Sequence, residues 1–489
     1  MKFFLSKLFS KILFVSILIV FLPTFIFSTL MYNQYDPFAY HTVQGTNKYY
    51  KKIESGSIEA GLYISPFYQT TAYARSKDGE RVPEGDMFGW WNMYGIFYGR
   101  DNDAAPTKIS ASPTGKPFEL EQQIGTGDNP YIPKAATQTN YPRMSDAWRV
   151  LDNQRENNPP LSDFDKKDLV YDYTLSSSFN SSAYQAKMPK TYVDTEKMGI
   201  RLELNFVSKI GLGLNVKSGI VDYRATPDFV LTGTSDNDMT YKYLTKYEKM
   251  KDICNELGLD IEKRDEIALE DTFVQLYWRD AFKLLDSDDE HVVNIVPYIA
   301  VGAWLPTGKE KSQDAAFSLP TGNNGFWGIT VDGSINFDIP DAIQFGVGGG
   351  FANFFKRTLS NQRIANDKNQ QGIFPWKARI TRDPGVSWYF NASVYAPYII
   401  DNFSAYFDVI YLKHHQDKIR MNESDSSRNT YFLPEVNEKL AEWRATMFQG
   451  GVNYEFTPGL QVGLGFQTHM NGRLVYRNTT ILGTISFIF

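Results

Sequence analysis

Five histidines are the residues of this 489-residue chain best suited to acid–base or metal chemistry, and they are His41, His291, His414, His415 and His469. A catalytic site needs a nucleophile, a base and an orienting group within reach of one another. His414 and His415 are adjacent in a segment of strand character, so their side chains point to opposite faces and cannot bind one metal ion together. Asp417 lies near His414, but one acid and one histidine are a weak pattern. We therefore expect structural roles for these histidines and no enzymatic activity.

The sequence also lacks patterns for cofactors and nucleic acids. No phosphate-binding loop of the form G-x-x-x-x-G-K-[ST] occurs, and the glycine-rich run at 346–350 lies inside a strand-like segment, where glycine permits curvature or close packing. The single cysteine, Cys254, can form neither an intrachain disulfide nor a cysteine-based zinc site. The net charge of -6 argues against nucleic acid, which needs a basic surface. We expect no cofactor and no metal.

Apolar and polar residues alternate with a period of two through much of the chain, which is typical of β-strands with two different faces. In the segment 460–469, for example, Leu460, Val462, Leu464 and Phe466 alternate with glycine and glutamine. The polar faces also carry charges, six acidic and two basic. If the strands close into a barrel, these charged residues would line its lumen. The candidate lumen-lining residues are Glu59, Arg201, Glu203, Lys217, Asp332, Asp338, Asp408 and Glu455.

Two architectures produce such an alternation. A soluble sandwich buries the apolar face, whereas a membrane barrel turns it towards lipid. Several segments alternate over the ~9–11 residues of a tilted membrane strand, rather than the ~5–6 usual in soluble proteins. Their polar faces contain few lysines. Short connections at 338–342, 398–402 and 456–460 alternate with long ones at 358–384 and 418–444. The mean hydropathy of -0.36 excludes a bundle of membrane helices. We therefore expect an all-β fold, a transmembrane antiparallel up-and-down β-barrel.

Counting back from the C-terminus gives about 12 strands, at 475–489, 459–469, 445–456, 402–417, 385–398, 341–357, 325–338, 291–304, 210–224, 199–208, 169–178 and 57–70. An even number places both chain ends on one side of the membrane. The charged, amphipathic stretch at 235–286 predicts a small α-helical insertion, which this parity places on the periplasmic side. A shorter helix is expected at 435–444, and the link 73–168 is expected to be an outer loop or a lumen plug. The Pro-Thr-Gly sequences at 304–308 and 318–322 predict turns at the ends of a loop.

The chain ends in TISFIF, with Ile481, Ile485, Phe487 and Phe489 on one face of the last strand. This ending resembles the C-terminal signal that bacterial outer-membrane proteins present to the barrel-assembly machinery, although Gly483 stands where an apolar residue is more usual. The resemblance covers this strand only and indicates a class rather than a specific family. It implies a location in the bacterial outer membrane. The implied partners are outer-membrane lipid, the barrel-assembly machinery and periplasmic chaperones.

The N-terminal region predicts export through the general secretory route. Three lysines precede the apolar run at 12–27, which is shorter than the ~20 residues of a membrane-spanning helix. A basic start followed by a short apolar core is typical of a secretory signal, and a retained anchor is the alternative. The expected organisation is a signal peptide at 1–28, an N-terminal periplasmic arm at 29–56 and the barrel at 57–489.

These features favour a passive channel or transporter for ions or small solutes. The excess of acidic residues on the polar faces predicts a slight preference for cations in an open lumen. The alternative is a non-conducting barrel, its lumen filled by side chains and loops, that presents surface loops for adhesion or partner binding.

Overall fold

The structure is a computed structural model that describes Asp36 and residues 58–89, 190–230, 259–284, 293–340, 342–365, 371–372, 374, 377–400, 402–422 and 432–489. Within these ranges the strands are β1 (Ile58–Arg75), β2 (Arg81–Val82), β3 (Lys190–Ser208), β4 (Leu212–Val230), β5 (Arg264–Leu269), β6 (Thr272–Arg279), β7 (Phe282–Lys283), β8 (Asn294–Leu305), β9 (Gly328–Ile339), β10 (Ile343–Phe354), β11 (Arg357–Arg363), β12 (Lys377–Asp383), β13 (Ser387–Ile400), β14 (Phe403–His414), β15 (Lys418–Met421), β16 (Trp443–Thr457), β17 (Leu460–Arg473) and β18 (Val475–Ile488).

Twelve strands form a closed antiparallel ring in the order β1, β3, β4, β6, β8, β9, β10, β13, β14, β16, β17 and β18. The ring closes where β18 pairs with β1, from Gly61 opposite Ile488 to Arg75 opposite Val475. Phe489 takes part in this closure, because its backbone exchanges hydrogen bonds of 2.8 and 3.1 Å with Ala60. The predicted twelve-strand barrel, closed by the last strand of the chain, is confirmed.

The two ends of the ring differ in their connections. One end, the turn end, carries the short links at 209–211, 340–342, 401–402 and 458–459, the longer link at 280–293 that contains β7, and the start of β1 and the end of β18. Gly211 and Gly459 adopt φ angles of 82° and 88° in two of these turns, which is a left-handed conformation that glycine adopts without steric cost. The opposite end, the loop end, carries the long connections at 306–327, 355–386 and 415–442. The short links predicted at 338–342, 398–402 and 456–460 are confirmed.

The long connections have structure of their own. β11, β12 and β15 form a separate three-stranded sheet at the loop end. Helix α1 (Pro434–Ala441) packs beside it, and Glu438 accepts a 2.6 Å hydrogen bond from the backbone N–H of Ile419. The predicted short helix is therefore confirmed, but it ends earlier than expected because Trp443 already begins β16. Among the described residues, no helix is long and apolar enough to cross a membrane.

The α-helical insertion expected at 235–286 is wrong over its described part, 259–284, which forms β5, β6 and β7. The apolar residues at helical spacing belong to both faces of β6: Leu276 is 58% exposed on the outside, whereas Phe273 and Tyr277 are buried on the inside. A short strand that is apolar on both faces cannot be distinguished from a helix by periodicity. The rest of the expected insertion lies outside the described residues.

The predicted strands do not include β6, so the predicted side of the membrane is wrong for the connection that precedes it. The connection from β4 to β5 leaves the ring at the loop end, not at the turn end where the insertion was placed. β1 pairs directly with β3, so no strand of the ring lies between them. The strand expected at 169–178, like most of the link 73–168, lies outside the described residues; β1 extends through the start of that link to Arg75.

The outside of the ring is apolar and the inside is polar. Leu464 on β17 and Ile481 on β18 are 60% and 52% exposed, whereas Gln467 and Thr480 on the opposite faces of these strands are 4% and 2% exposed. A soluble β-protein has the reverse arrangement. An apolar exterior around a polar interior is the surface that a bilayer requires of a spanning barrel.

Candidate functional site

The inner face of the barrel is the candidate functional site, because it gathers the charged residues of the polar strand faces. Six of the eight candidate lumen-lining residues are at least nine-tenths buried, and these are Arg201, Glu203, Lys217, Asp332, Asp338 and Asp408. Glu59 and Glu455 are half-buried near the turn end. Each follows from the period-two geometry of its strand, which directs alternate side chains inward.

A buried ion cluster joins β3 to the link between β5 and β6. The Arg201 guanidinium donates to the carboxylate of Glu270 from Nε at 2.8 Å and from Nη2 at 3.0 Å. Lys197 Nζ lies 3.0 Å from Glu270 and 3.7 Å from Asp36. Arg201 Nη2 also contacts Asp36 at 2.8 Å. Two cations and two carboxylates thus neutralise one another inside the ring, as charges removed from water must.

Asp36 belongs to the segment expected to be a periplasmic arm at 29–56. It is 1% exposed and lies inside the ring against β3. The reason is electrostatic: a carboxylate within reach of Lys197 and Arg201 offsets positive charge that the lumen would otherwise hold. The other residues of the segment lie outside the described ranges.

A second polar cluster lies on neighbouring strands. Glu203 on β3 faces Lys217 on β4, with 3.5 Å between Lys217 Nζ and the carboxylate. The Asn215 amide donates to the same carboxylate at 2.6 Å. Both predicted basic residues of the lumen therefore pair with carboxylates: Arg201 with Glu270 and Asp36, and Lys217 with Glu203.

Three of the remaining acidic residues accept hydrogen bonds from neutral donors. Asp332 on β9 accepts from the Gln275 amide at 2.9 Å and from the Tyr389 hydroxyl at 2.7 Å. Asp408 accepts from Gln449 at 2.7 Å. In the same way Asp338 accepts from Asn294 at 3.0 Å. These networks cross from strand to strand and fix the inward carboxylates in position.

In the polar part of the lumen, the buried charges among the described residues that sequence reasoning missed include Asp36, Lys197, Glu270 and Arg279. Lys197 shares the face of Arg201, so it could have been found by extending the strand at 199–208 towards the N-terminus. Glu270 and Arg279 lie in the stretch taken for helix, and Asp36 has no local signal. The four comprise two acids and two bases, so the acidic excess of four among the candidate residues is unchanged.

At the loop end the interior becomes apolar. Inward side chains of the strands, such as Trp304 and Trp443, pack against loop residues such as Phe317, Phe326 and Ile380, and all five are at least nine-tenths buried. A partly open cavity of about 250 Å³ lies beside this cluster and is lined by Phe317 and Ile380 among others. Lys311 also lines the cavity, and burial together with the nearby Arg382 lowers its pKa. The loops therefore narrow the interior of the barrel on the loop-end side of the polar part of the lumen.

The two Pro-Thr-Gly sequences hold the link between β5 and β6. Thr307 and Thr321 donate side-chain hydrogen bonds to the backbone oxygens of Glu270 and Leu269, at 2.9 and 2.5 Å. Gly308 donates its N–H to Asp271 at 2.8 Å. A Cβ atom at Gly322 would lie only 2.1 Å from Asp271 Cγ. The first copy directly follows β8, as predicted for a loop end, whereas the second lies inside the loop 306–327, so the two copies flank 309–317. Together they position the backbone that carries Glu270.

His414 takes part in a serine–histidine–aspartate arrangement that the sequence only partly indicated. His414 Nδ1 lies 2.5 Å from Ser387 Oγ, and its Nε2 lies 2.9 Å from Asp417. Arg382 and His414 hold the pKa of the Asp417 carboxyl below its ordinary value, despite the opposing effect of burial. A serine hydrolase uses these three residue types, but its nucleophile must reach substrate.

This arrangement is closed to substrate. Ser387, His414 and Asp417 are all at most 1% exposed, and Trp443 stacks on the His414 ring at 5.8 Å. The serine and the aspartate also bind the opposite ring nitrogens from those used in a catalytic triad. The three residues act instead as a buried hydrogen-bond network that ties β13 and β14 to the loop sheet through Arg382. Among the described residues, no group of three or more His, Cys, Asp or Glu side chains could hold a metal ion.

Two buried carboxyls lie at the loop end beside β3. Glu84 and Asp86 belong to a short 3-10 helix, and they accept hydrogen bonds from the backbone N–H groups of Val193 and Thr191, at 3.3 and 3.4 Å. Burial raises the pKa of Asp86 to about 7, and it raises the pKa of Glu84 as well. The ionisation of Asp86 therefore responds to pH near neutrality.

Comparisons with known proteins return barrels of low similarity. No protein-family model matches the chain, and no curated protein matches it significantly. Similar solved structures include the COG4313 outer membrane channel from Pseudomonas putida F1, with a TM-score of 0.42 and 8% identity over 90% of this chain and 97% of that chain. Another is the translocator domain of the autotransporter NalP from Neisseria meningitidis, with a TM-score of 0.32 and 6% identity over 91% of each chain. A third is OccK11 (OpdR) from Pseudomonas aeruginosa, with a TM-score of 0.23 and 7% identity over 90% of this chain and 99% of that chain. These similarities concern the barrel architecture and do not identify a function.

Proposed function

We propose that this chain is an outer-membrane barrel that acts as a passive channel or transporter for ions or small solutes. The observation that carries the proposal is the inner face, on which buried charges and hydrogen-bonded amides line a closed ring with an apolar exterior. A barrel that served only as an anchor would gain nothing from burying so many charged groups, because each costs desolvation energy. A polar interior is instead typical of outer-membrane channels, and in this structure the buried charges and their hydrogen-bond partners fill much of it.

The orientation follows from the connections. Bacterial outer-membrane barrels have short periplasmic turns and long outer loops, so the turn end faces the periplasm and the loop end faces outward. The secretory signal expected at 1–28 and the C-terminal ending with Phe489 support export, delivery by periplasmic chaperones and insertion by the barrel-assembly machinery. The final residue is 80% exposed beside the seam between β1 and β18, where an assembly factor could reach it.

The apolar cluster at the loop end limits what can pass. Loop residues fill the interior there, so the path is narrow and suits ions or small solutes better than large ones. Below this cluster, the excess of carboxylates among Asp332, Asp338 and Asp408 favours cations, as rings of acidic residues do.

Planar-bilayer recordings test the proposal directly. The full chain is reconstituted, and the reversal potential is measured across a KCl gradient for the wild type, for the double variant Asp332→Asn/Asp408→Asn, and for Asp265→Asn. Asp265 is exposed on β5, outside the lumen, and serves as the matched control. We expect cation-selective conductance that the double variant weakens and the control leaves unchanged. Absence of conductance from a folded barrel, judged by a heat-dependent gel shift, would refute the channel.

The same apolar cluster favours the second candidate, a non-conducting barrel whose surface loops bind a partner. Liposome swelling with sugars of graded size separates the two. A channel gives swelling that falls with solute size, whereas a sealed barrel gives none at any size.

A further inference from the structure

The outer surface of the barrel carries a row of basic residues at the loop end. Lys413 on β14 lies directly opposite Arg444 on β16, and Arg444 lies opposite Arg473 on β17. The flanking residues Leu412 and Ala445 are 1% and 0% exposed and point inward. By the two-residue period of a strand, the three cations therefore point outward, and the ~4.8 Å spacing of strands spreads them over roughly 10 Å.

This row has little neutralising charge. Lys413 forms an exposed ion pair of 3.2 Å with Glu442. Arg444 and Arg473 are exposed, and neither has an ion pair with any carboxylate in the described part of the chain. Like charges directly opposite one another on a sheet face destabilise the pairing. An anion bound between these cations would relieve this repulsion.

A second basic group continues the row across the seam of the ring. The guanidinium groups of Arg75, Arg81 and Arg477 surround the ring of Tyr73, with distances to its centroid of 5.3, 4.4 and 5.5 Å. The turn after β1 lies against the end of β17, since the backbone N–H of Leu474 donates to the oxygen of Ser76 at 3.2 Å. The six cations, hereafter the basic rim, are Arg75, Arg81, Lys413, Arg444, Arg473 and Arg477.

The position of the basic rim matches the level of lipid headgroups. Trp388 on β13 lies opposite Lys413, and its ring packs against Tyr411 at 5.4 Å. Aromatic residues of this kind mark the boundary between the apolar band of a barrel and water. β17 and β18 are joined by Leu474 alone, with a φ angle of 51°, so this connection is too short to cover Arg473. The rim is therefore open to the bilayer from the side.

We infer that the basic rim is a binding site for the phosphate groups of a phosphorylated glycolipid in the outer leaflet. Guanidinium groups bind phosphate through paired hydrogen bonds, and arginine supplies five of the six cations. The lipid chains would lie along the apolar exterior below the rim. The inference rests on the proposed orientation, which places the loop end in the outer leaflet, but it does not depend on whether the barrel conducts.

The test compares the full chain, refolded in zwitterionic detergent, with the variant Arg444→Gln/Arg473→Gln. A matched control, Lys356→Gln/Arg420→Gln, removes two exposed cations from the loop end outside the rim. Each protein is titrated with diphosphorylated lipid A, and the apparent affinity is read from the rise of the thermal unfolding midpoint and from bound lipid in native mass spectrometry. The additional probes are the same glycolipid without phosphates, phosphatidylglycerol and inorganic phosphate.

We expect lipid A to bind the wild type and the control with similar affinity, and the rim variant at least tenfold more weakly. We also expect affinity to fall between 0.1 and 1 M salt, as the screening length shortens from about 10 to 3 Å. Equal binding of the dephosphorylated glycolipid, or unchanged affinity of the rim variant, would overturn the inference. Equal binding of phosphatidylglycerol or inorganic phosphate would overturn its assignment to the glycolipid. Loss of the heat-dependent gel shift would reveal a misfolded variant, and the single substitution Arg473→Gln then supplies the comparison.

Discussion

Neutralising the buried carboxylate of Glu270 should lower the free energy of unfolding of the barrel. The side chain is 1% exposed and accepts three hydrogen bonds of 2.8 to 3.0 Å from Lys197 and Arg201. In Glu270→Gln the size and shape of the side chain remain, but the two buried cations Lys197 and Arg201 lose the carboxylate that they share. Breaking a buried ion network by removing one partner typically costs ~3–5 kcal/mol. We therefore expect the free energy of unfolding to fall by about that amount.

The matched control is Glu310→Gln. Glu310 also pairs with an arginine, Arg357, but their side chains are 47% and 40% exposed. An exposed ion pair contributes about 0–1 kcal/mol, so this variant should unfold almost as the wild type does. Urea unfolding in lipid vesicles, followed by tryptophan fluorescence, measures both. A compensating change, Lys197→Met in the Glu270→Gln background, restores the charge balance and should recover part of the loss.

Two results would refute the reasoning. If Glu270→Gln and Glu310→Gln shift the unfolding free energy equally, the cluster is not desolvated as its burial indicates. If Lys197→Met makes the Glu270→Gln variant still less stable, the loss comes from packing or hydrogen bonds rather than from uncompensated positive charge.

Three further predictions concern the loop end. Burial raises the pKa of Asp86 to about 7, above its value in the unfolded chain. The wild type should therefore lose stability as pH rises from about 4 to 7, and Asp86→Asn should lose less over the same range. Urea midpoints that change in parallel for the two proteins would contradict this prediction. Ser387→Ala should lower the free energy of unfolding by about 1 kcal/mol, because the hydrogen bond to His414 is lost. The variant should show no more ester hydrolysis than detergent without protein. A wild-type esterase activity that disappears in the variant would instead show a working triad. Gly322→Ala should destabilise the barrel in thermal unfolding because the new methyl group would meet Asp271, whereas Gly333→Ala, whose nearest contact would be 3.7 Å, should be tolerated; equal effects would exclude a role for this close approach.

The architecture of the ring could be predicted because its cause is local. Each strand must present apolar atoms to lipid and polar atoms to the interior, and this requirement is visible in the alternation of Leu464 and Gln467 or of Ile481 and Thr480. The turns are equally local, since they depend on residues such as Gly459 that adopt a left-handed conformation.

β6 could not be predicted in the same way. Near the loop end the interior is filled by loops, so the inward residues Phe273 and Trp304 are apolar and pack against each other with 4.5 Å between ring centroids. Alternation disappears where both faces are apolar, and the remaining pattern resembles a helix. The sequence of β6 alone does not indicate that loop residues fill the ring at this level.

The charge partners of the lumen are likewise non-local. Arg201 meets Glu270 and Asp36, which are 69 and 165 positions away in the chain. The inward direction of Arg201 follows from its strand, but the identity of its partners follows only from the closed ring. The residues of the basic rim are adjacent in space for the same reason, because strand register sets Arg444 beside Arg473.

The seam between β1 and β18 has a consequence for how the barrel forms. It pairs Gly61 with Ile488, so the contact that closes the ring spans nearly the whole chain. Pairings of such long sequence separation form slowly, because the entropy of closing the loop opposes them before any contact is made. Until then β1 and β18 are open sheet edges with unpaired backbone groups, which readily bind other strands. We therefore expect closure of this seam to be a slow step of folding, and we expect the chain to be prone to aggregate before it occurs.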